Sequence, residues 1–396
     1  MITYLTDVEG RWDKLASFAS GNPCLALEGE ALRLADDVTF VFGGDAIDRG
    51  PHGRRIIRTL LAARRAYGDR VVLLAGNRDI NKMRLWRELD GAPPDNIPEP
   101  LRDASRGEIL RWIFSNTMGA RDAANHRATE LAAEGRAHSD NDVAESYLED
   151  LAKGGPLREY LLCCQLGYRA GNTLFLHGGA TEENLCRVPG IVERSRGIDE
   201  WISGLNDFYA REVKLFDSGM PPAALIAYQM PLKGTRLNQG SVIYSRPTDE
   251  LGNPVLPSAR TLDELRESGV HRLIVGHTPS GDCPAILRDG DFEMVLADNS
   301  YGRLERGSQV SFTDRRLTVA ALTELDGGER ERVHFTSELD DRESPVGHRD
   351  RDSGYLIKGK LERGDYLLFR GLPGYKYEQI AATPDDVARR TLIAPR

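Results

Sequence analysis

The residue types that could do chemistry sit in short polar corners, each directly after an apolar run. Ile2–Leu5 runs into Thr6-Asp7-Val8-Glu9-Gly10, and Val38–Phe42 into Gly43-Gly44-Asp45-Ala46-Ile47-Asp48-Arg49-Gly50. Val71–Leu74 runs into Ala75-Gly76-Asn77-Arg78-Asp79. Thr173–Leu176 leads to His177-Gly178-Gly179, and Leu273–Val275 to Gly276-His277-Thr278-Pro279. Together the corners offer Asp7, Glu9, Asp45, Asp48, Asn77, Asp79, His177 and His277. Carboxylate, amide and imidazole donors are ligand types for Mg, Mn, Fe and Zn. Two divalent ions sharing a carboxylate, roughly 3.5–4 Å apart, are the usual device for in-line displacement at phosphorus. Each residue alone has a blander use. Asp7 could cap a turn, Asn77 and Gly76 could build a tight corner, and His177 could be structural. Their recurrence at successive run ends argues for joint use.

Such corners need strands to carry them. The runs are short, β-rich and followed by turn residues, which predicts strands. In α/β sheets ligands gather beyond the carboxyl ends of strands. Between the second and third runs, residues 53–66 place Ile56, Ile57, Leu60 and Leu61 on one helical face, entered through Pro51. Arg54, Arg55, Arg58 and Arg65 are expected on a solvated face. Strand–helix alternation predicts an α/β (α+β) fold. Residues 91–170 interrupt it, starting with the loop GAPPDNIPEP. Apolar stripes at Ile109, Leu110, Ile113, Phe114 and at Val143, Tyr147, Leu148, Leu151 predict a helical insertion covering the site. Strands are expected at 308–313 and 316–323. Segment 337–354 is highly charged without an apolar face and reads as a linker or mobile loop. YLIKGKL and DYLLFRGL predict a small β appendage. The expected division is one catalytic domain, 1–322, carrying the insertion 91–170, then a charged linker and β-rich extension, 323–396.

GGDAIDRG resembles the GDxxDRG motif of the calcineurin-like metallophosphoesterase superfamily, in particular its phosphoprotein-phosphatase-like branch. TDVEG resembles the opening DxHG motif, GNRD resembles GNHE, and LHGG and VGHTP resemble the two later histidine motifs. All five occur in the family's order across residues 7 to 279. The resemblance implies a two-sheet β-sandwich flanked by helices and a metal-dependent phosphatase. It would hydrolyse phosphate monoesters by in-line attack of a metal-bound hydroxide. It implies two divalent ions (Mn, Mg or Fe), with Asp7 and Glu9 on one, Asp45 bridging, and Asn77, His177 and His277 on the other. Arg49 would bind phosphate oxygens through its planar fork. VIYSRP resembles the segment that supplies a second phosphate arginine, with Tyr in place of Trp, which nominates Arg246.

Two departures from the family pattern matter. Glu9 stands where the family has His. The first site becomes all carboxylate, Asp7, Glu9 and Asp45, which favours Mg, Mn or Ca over Zn. The alternative is that Glu9 misses the metal. Arg78 stands where the family has its catalytic His, and an arginine cannot give up a proton near neutral pH. Asp48, the expected partner, is retained, so an Asp48–Arg78 ion pair is expected, with Arg78 as a fixed charge on phosphate or leaving oxygen. His52 is a candidate replacement acid. Asn81 and Lys82 could touch substrate or simply start a helix.

The remaining sequence bounds these readings. The 396 residues carry 52 Lys and Arg against 61 Asp and Glu, a net charge of −9. This balance disfavours long nucleic acids and membrane surfaces. No apolar run approaches the roughly 18 residues of a membrane span. The five cysteines (Cys24, Cys163, Cys164, Cys186, Cys283) are an odd number without CxxC. With opening residues that read as a strand rather than a secretory leader, they suggest a cytoplasmic protein. Cys163 and Cys164 are expected in the core. A narrowing insertion favours a small phosphorylated substrate. Phosphoprotein and dinucleoside polyphosphate substrates stay open, as does a catalytically impaired protein that binds a phospho-ligand or partner.

Overall fold

The computed structural model describes residues 1–374 and 376–396. The chain opens with β1 (Ile2–Leu5), the hairpin β2 (Leu25–Glu28) and β3 (Ala31–Leu34), then β4 (Thr39–Phe42) and β5 (Val71–Leu73). Next come β6 (Gly167–Ala170), β7 (Thr173–Leu176), β8 (Arg272–Pro279), β9 (Ala285–Asp289) and β10 (Phe292–Asp298). Then follow β11 (Gln309–Phe312), β12 (Arg316–Glu324) and β13 (Arg330–Glu338). The tail holds β14 (Arg349–Asp350), β15 (Leu356–Lys360), β16 (Tyr366–Leu372), β17 (Lys376–Ala382) and β18 (Leu392–Ile393).

Two sheets form the core, in the orders β13-β12-β11-β1-β4-β5 and β6-β7-β8-β10-β9. Alternate side chains of each strand point to opposite faces. Tyr4, Val41, Val72 and Val310 from the first sheet share one apolar cluster with Phe175, Ile274 and Val295 from the second. The Tyr4 and Phe175 rings lie 5.8 Å apart within it. The other faces, with Phe40, Phe42, Leu174 and Leu273, pack with the helices. This is the two-sheet sandwich flanked by helices that the motifs implied. Strands β1, β4 and β5 are mutually parallel, as are β7, β8 and β10. Parallel pairing sends their carboxyl ends, and hence the polar corners, to a common edge.

Helix Gly53–Tyr67 buries Ile56, Ile57, Leu60 and Leu61 as expected. Its arginines are not all solvated, because Arg54 is only 6% exposed. Its guanidinium meets Asp150 at 3.2 Å and also pairs with Glu134, both from the insertion. Arg127 meets the same Asp150 at 2.5 Å. This ion cluster docks the insertion onto the helix. The insertion itself is helical: Arg106–Asn116, Ala123–Ala133, Asp140–Leu151 and Pro156–Cys163. Two of these start on capping boxes, Ser105 with Glu108 and Ser139 with Asp142. Phe114 and Tyr147, one from each predicted stripe, meet edge to face at 5.4 Å.

Three boundaries differ from the sequence reading. The insertion ends before residue 170, because β6 is a core strand paired with β7. As an edge strand with half-buried Tyr168, Arg169 and Ala170, it lacks the strong apolar run of its neighbours. The domain boundary expected at 322 falls inside β12, which pairs with β13 from Arg316↔Glu338 to Glu324↔Arg330. The charge of segment 337–354 is partly spent on pairs such as Arg316–Glu338 at 2.7 Å and Arg390–Asp350 at 2.6 Å, and the segment includes β14. The β-rich tail forms a five-stranded sheet, β17-β16-β15-β14-β18. It is tied to the core beyond β8: the buried Lys358 ammonium donates to the Ser280 carbonyl, and Gly371 N–H to Asn253 Oδ1 at 2.9 Å. All five cysteines are free thiols, and Cys163 is exposed rather than core, since it closes the helix Pro156–Cys163. Among the described residues no helix is long and apolar enough to cross a membrane.

Candidate active site

The corners are held in backbone conformations that side chains rarely choose. Seven described non-glycine residues have positive φ, and five of them are Asp7 (50°), Glu9 (49°), Asp45 (57°), Asp48 (107°) and His277 (57°). Each left-handed residue costs on the order of 1–3 kcal/mol, and such strain clusters where side-chain direction matters. Backbone hydrogen bonds stitch the corners together. Asp7 N–H donates to Gly44 O at 3.0 Å, Glu9 N–H to Asp45 O at 3.0 Å, and Arg49 N–H to Glu9 O at 2.7 Å. The Asp79 carboxylate accepts from the N–H groups of Asp45, Ala46 and Gly76 at 2.8–3.0 Å. Tyr160 of the insertion donates to it as well, at 3.3 Å. Asp79 therefore positions the Asp45 corner.

A Cβ on Gly76 would overlap the Asp45 carboxylate and its backbone nitrogen. Gly76→Ala is expected to leave the fold intact and weaken Mn²⁺ binding about 10–100-fold, the usual cost of disturbing a ligand's support. Calorimetric titration of the variant with Mn²⁺ checks this, and unchanged affinity would refute the positioning role.

Asp45, His177 and His277 bring one ligand atom each to within 4.8 Å of one another, all buried. His177 Nδ1 donates to the Gly43 carbonyl at 2.7 Å, which turns Nε2 toward Asp45 Oδ1 at 3.5 Å and Asn77 Oδ1 at 3.4 Å. Burial opposes a charge on His177, but the Asp45 carboxylate, Asp7 and the Gly43 carbonyl together outweigh it and push the imidazole up to about 9. A cation between the two would take that proton's place. His277 Nε2 is buried with no hydrogen-bond partner. Burial, then the nearby Arg246 charge, holds His277 well below the ordinary imidazole range, so its ring is neutral and able to ligate. A buried nitrogen left unpaired costs about 1–3 kcal/mol, which a metal would relieve. Asp45, Asn77, His177 and His277 thus fit a divalent ion.

The carboxylates expected on a second ion are otherwise engaged. Asp7 Oδ2 accepts from the Thr6 hydroxyl at 2.6 Å and from His277 N–H at 3.1 Å. Burial, then Asp298, pushes its carboxyl well above the usual range. Glu9 Oε1 lies 2.6 Å from Arg78 Nε, and Glu9 Oε2 lies 3.4 Å from Arg49 Nη1. Among the described residues Asp7 and Glu9 do not converge with Asp45 on a second point. The expected Asp48–Arg78 pair exists only as the longer contact, 3.7 Å. The close partner of Asp48 is Lys82, 2.7 Å away, with both side chains fully buried. Lys82 is thus a structural counter-charge, not an exposed substrate contact. Arg246 Nη1 donates to the His277 carbonyl at 2.6 Å, so it borders the histidine corner. His52 stands at the head of helix Gly53–Tyr67, half-buried.

A cavity of about 500 Å³ opens over Asp48, Arg49 and Arg78. The insertion walls it with Arg121, Asp122 and His126, and the segment after β10 adds Tyr301 and Glu305. Arg49 stacks over the Tyr301 ring at 3.8 Å. A larger groove of about 990 Å³ lies elsewhere, between the first helix and β12–β13, and contains none of the corner residues. Asp298 and Tyr301 escaped the sequence reading. Asp298 ends β10 and is buried, its Oδ1 accepting from Ser300 N–H at 2.6 Å. The signal was present as a sixth corner, Ala297-Asp298-Asn299-Ser300, after the apolar Met294–Leu296.

A protein-tyrosine phosphatase of the psychrophile Shewanella sp. is similar in structure at 16% identity and TM-score 0.46, over 84% of this chain and 79% of that one. A serine/threonine phosphatase from Saccharomyces cerevisiae is similar at 12% identity and TM-score 0.39, over 85% and 79%. No curated protein matches the chain by sequence. The family model for calcineurin-like phosphoesterase matches residues 2–281, which include the five motif-bearing corners but not Ala297–Ser300. The chain belongs to the calcineurin-like phosphoesterase family and is a metal-dependent phosphoesterase.

Proposed function

We propose that this phosphatase removes phosphate from a small phosphorylated molecule by hydrolysing a monoester. The observation that carries the reading is Arg78, which lies 3.6 Å from Asp45 of the Asp45–His177–His277 cluster and also lines a pocket of about 500 Å³ rimmed by arginines and walled by the insertion. That volume suits a small ligand rather than a folded protein surface. A bound divalent ion supplies charge neutralisation at phosphoryl oxygens and lowers the pKa of water. The side chains supply the rest. Arg49 and Arg78 both line the pocket, and a guanidinium there offers charge-assisted hydrogen bonds to phosphate oxygens. Arg78 stabilises developing charge but gives no proton to the leaving oxygen.

The test is hydrolysis of p-nitrophenyl phosphate, an alkyl phosphate, a bis-aryl phosphodiester and a phosphopeptide under Mg²⁺, Mn²⁺, Fe²⁺ and Zn²⁺. Turnover of the aryl monoester is expected to exceed that of the alkyl monoester by about 10²–10⁴-fold, the range general acid catalysis usually covers. Inactivity on all substrates with metal bound sinks the reading. A preference for the phosphopeptide removes the small-molecule assignment, and a preference for the diester removes the monoester assignment.

A further inference from the structure

Arg78 lies within a nest of carboxylates. Its Nε is 2.6 Å from Glu9 Oε1 and 3.6 Å from Asp45 Oδ2, and its Nη1 is 3.7 Å from Asp48 Oδ2. Its backbone N–H also donates to Asp45 Oδ1 at 2.9 Å. The guanidinium is therefore clamped from two directions, through its own peptide and through its side chain. Glu9 is equally fixed: it is 2% exposed, has positive φ, and bonds through both its N–H and its carbonyl to neighbouring corners. Its second oxygen faces Arg49. Asp45 divides its two oxygens, with Oδ1 toward His177 and Oδ2 toward Arg78.

We infer that this phosphatase binds one divalent ion, at Asp45, Asn77, His177 and His277, and that the Arg78 guanidinium, seated on Glu9, occupies the position of a second cation. The inference rests on the phosphoesterase reading of the site and specifies its metal content. The physical case is one of exclusion. An ion placed between Asp45 Oδ2 and Glu9 would have to displace a buried ion pair and stand against a permanent positive charge. Arginine cannot neutralise itself to make room, since it stays protonated at any working pH. The exchange also keeps what a second ion offers electrostatically, a positive charge held beside Asp45 on a residue that lines the pocket. Glu9 and Arg78 then form one functional unit. A glutamate at position 9 seats the guanidinium by an ion pair, which a neutral imidazole there would not match in charge.

The test counts ions on the purified full-length protein, by calorimetric titration with Mn²⁺ and by elemental analysis after dialysis. Wild type is expected to bind one equivalent, and Glu9→Gln also one. His277→Ala should lose that equivalent. Arg78→Ala should free Glu9 and bind two. Circular dichroism establishes that each variant is folded, and the wild-type count stands even if a variant is not. Two equivalents on wild type, falling to one in Glu9→Gln, would overturn the inference, and so would a folded Arg78→Ala that still binds one. The count is independent of turnover. One ion on a protein that hydrolyses no phosphate ester supports this inference and removes the functional reading.

Discussion

Asp45→Asn should reduce kcat/KM for p-nitrophenyl phosphate by on the order of 10³-fold or more, since a metal site is worth several kcal/mol at the transition state. The substitution is nearly isosteric, so packing is preserved and the change is one of charge. Asp45 faces His177 at 3.5 Å through one oxygen and the Arg78 Nε at 3.6 Å through the other. Its carboxylate leads the groups that raise the His177 pKa against burial, and it offers the anionic ligand of the Asp45–His177–His277 cluster. An amide keeps one acceptor and loses the charge that draws a divalent ion. Loss of turnover should therefore come with loss of Mn²⁺ binding in calorimetry and little change in the thermal unfolding midpoint. Several buried carboxylates crowd this edge, and removing one charge relieves repulsion felt by Asp7 and Asp79. Activity within tenfold of wild type would refute the central role of Asp45.

How much of this was legible before the structure depends on what each residue relies on. The five corners could be read because parallel strands end at one edge, so apolar run followed by polar corner is a local pattern with a global meaning. The strain at Asp7, Glu9, Asp45, Asp48 and His277 is the backbone counterpart of that pattern. Side-chain pairing was not local in the same way. Spacing brought Asp48 and Arg78 into one neighbourhood, but rotamer and packing decide that Lys82 reaches Asp48 at 2.7 Å while Arg78 turns to Glu9. The same holds for Arg54. Its position on the polar side of a helix reads as solvated, and only the packing of a segment some 75–100 residues away buries it. The 20-residue helix Ile198–Asp217, with Trp201, Ile202, Leu205, Phe208 and Tyr209 buried, is by contrast written locally, as an apolar helical period.

The insertion is where stability and function meet, and Asp150 is its test. This carboxylate is 1% exposed and receives Arg54 at 3.2 Å and Arg127 at 2.5 Å. Arg127 also lies 4.1 Å from the Tyr147 ring centroid, so its guanidinium is enclosed on several sides. Removing one partner of a buried ion pair leaves uncompensated charge: Asp150→Ala takes from the buried Arg127 its close counter-charge, while Arg54 keeps Glu134. The expected loss is about 3–5 kcal/mol. At roughly 2–4 °C per kcal/mol for a domain of this size, the unfolding midpoint should fall by about 10 °C. A stability loss below about 1 kcal/mol in Asp150→Ala, by denaturant titration, would mean that water reaches the cluster and the insertion is docked by its apolar contacts alone. The kinetic consequence follows from the pocket wall. Arg121, Asp122 and His126 ride on the insertion, whereas Asp45, His177 and His277 belong to the sandwich edge. Loosening the dock should therefore raise KM for the substrate before it lowers kcat, which separates a wall that selects the substrate from the cluster that acts on it.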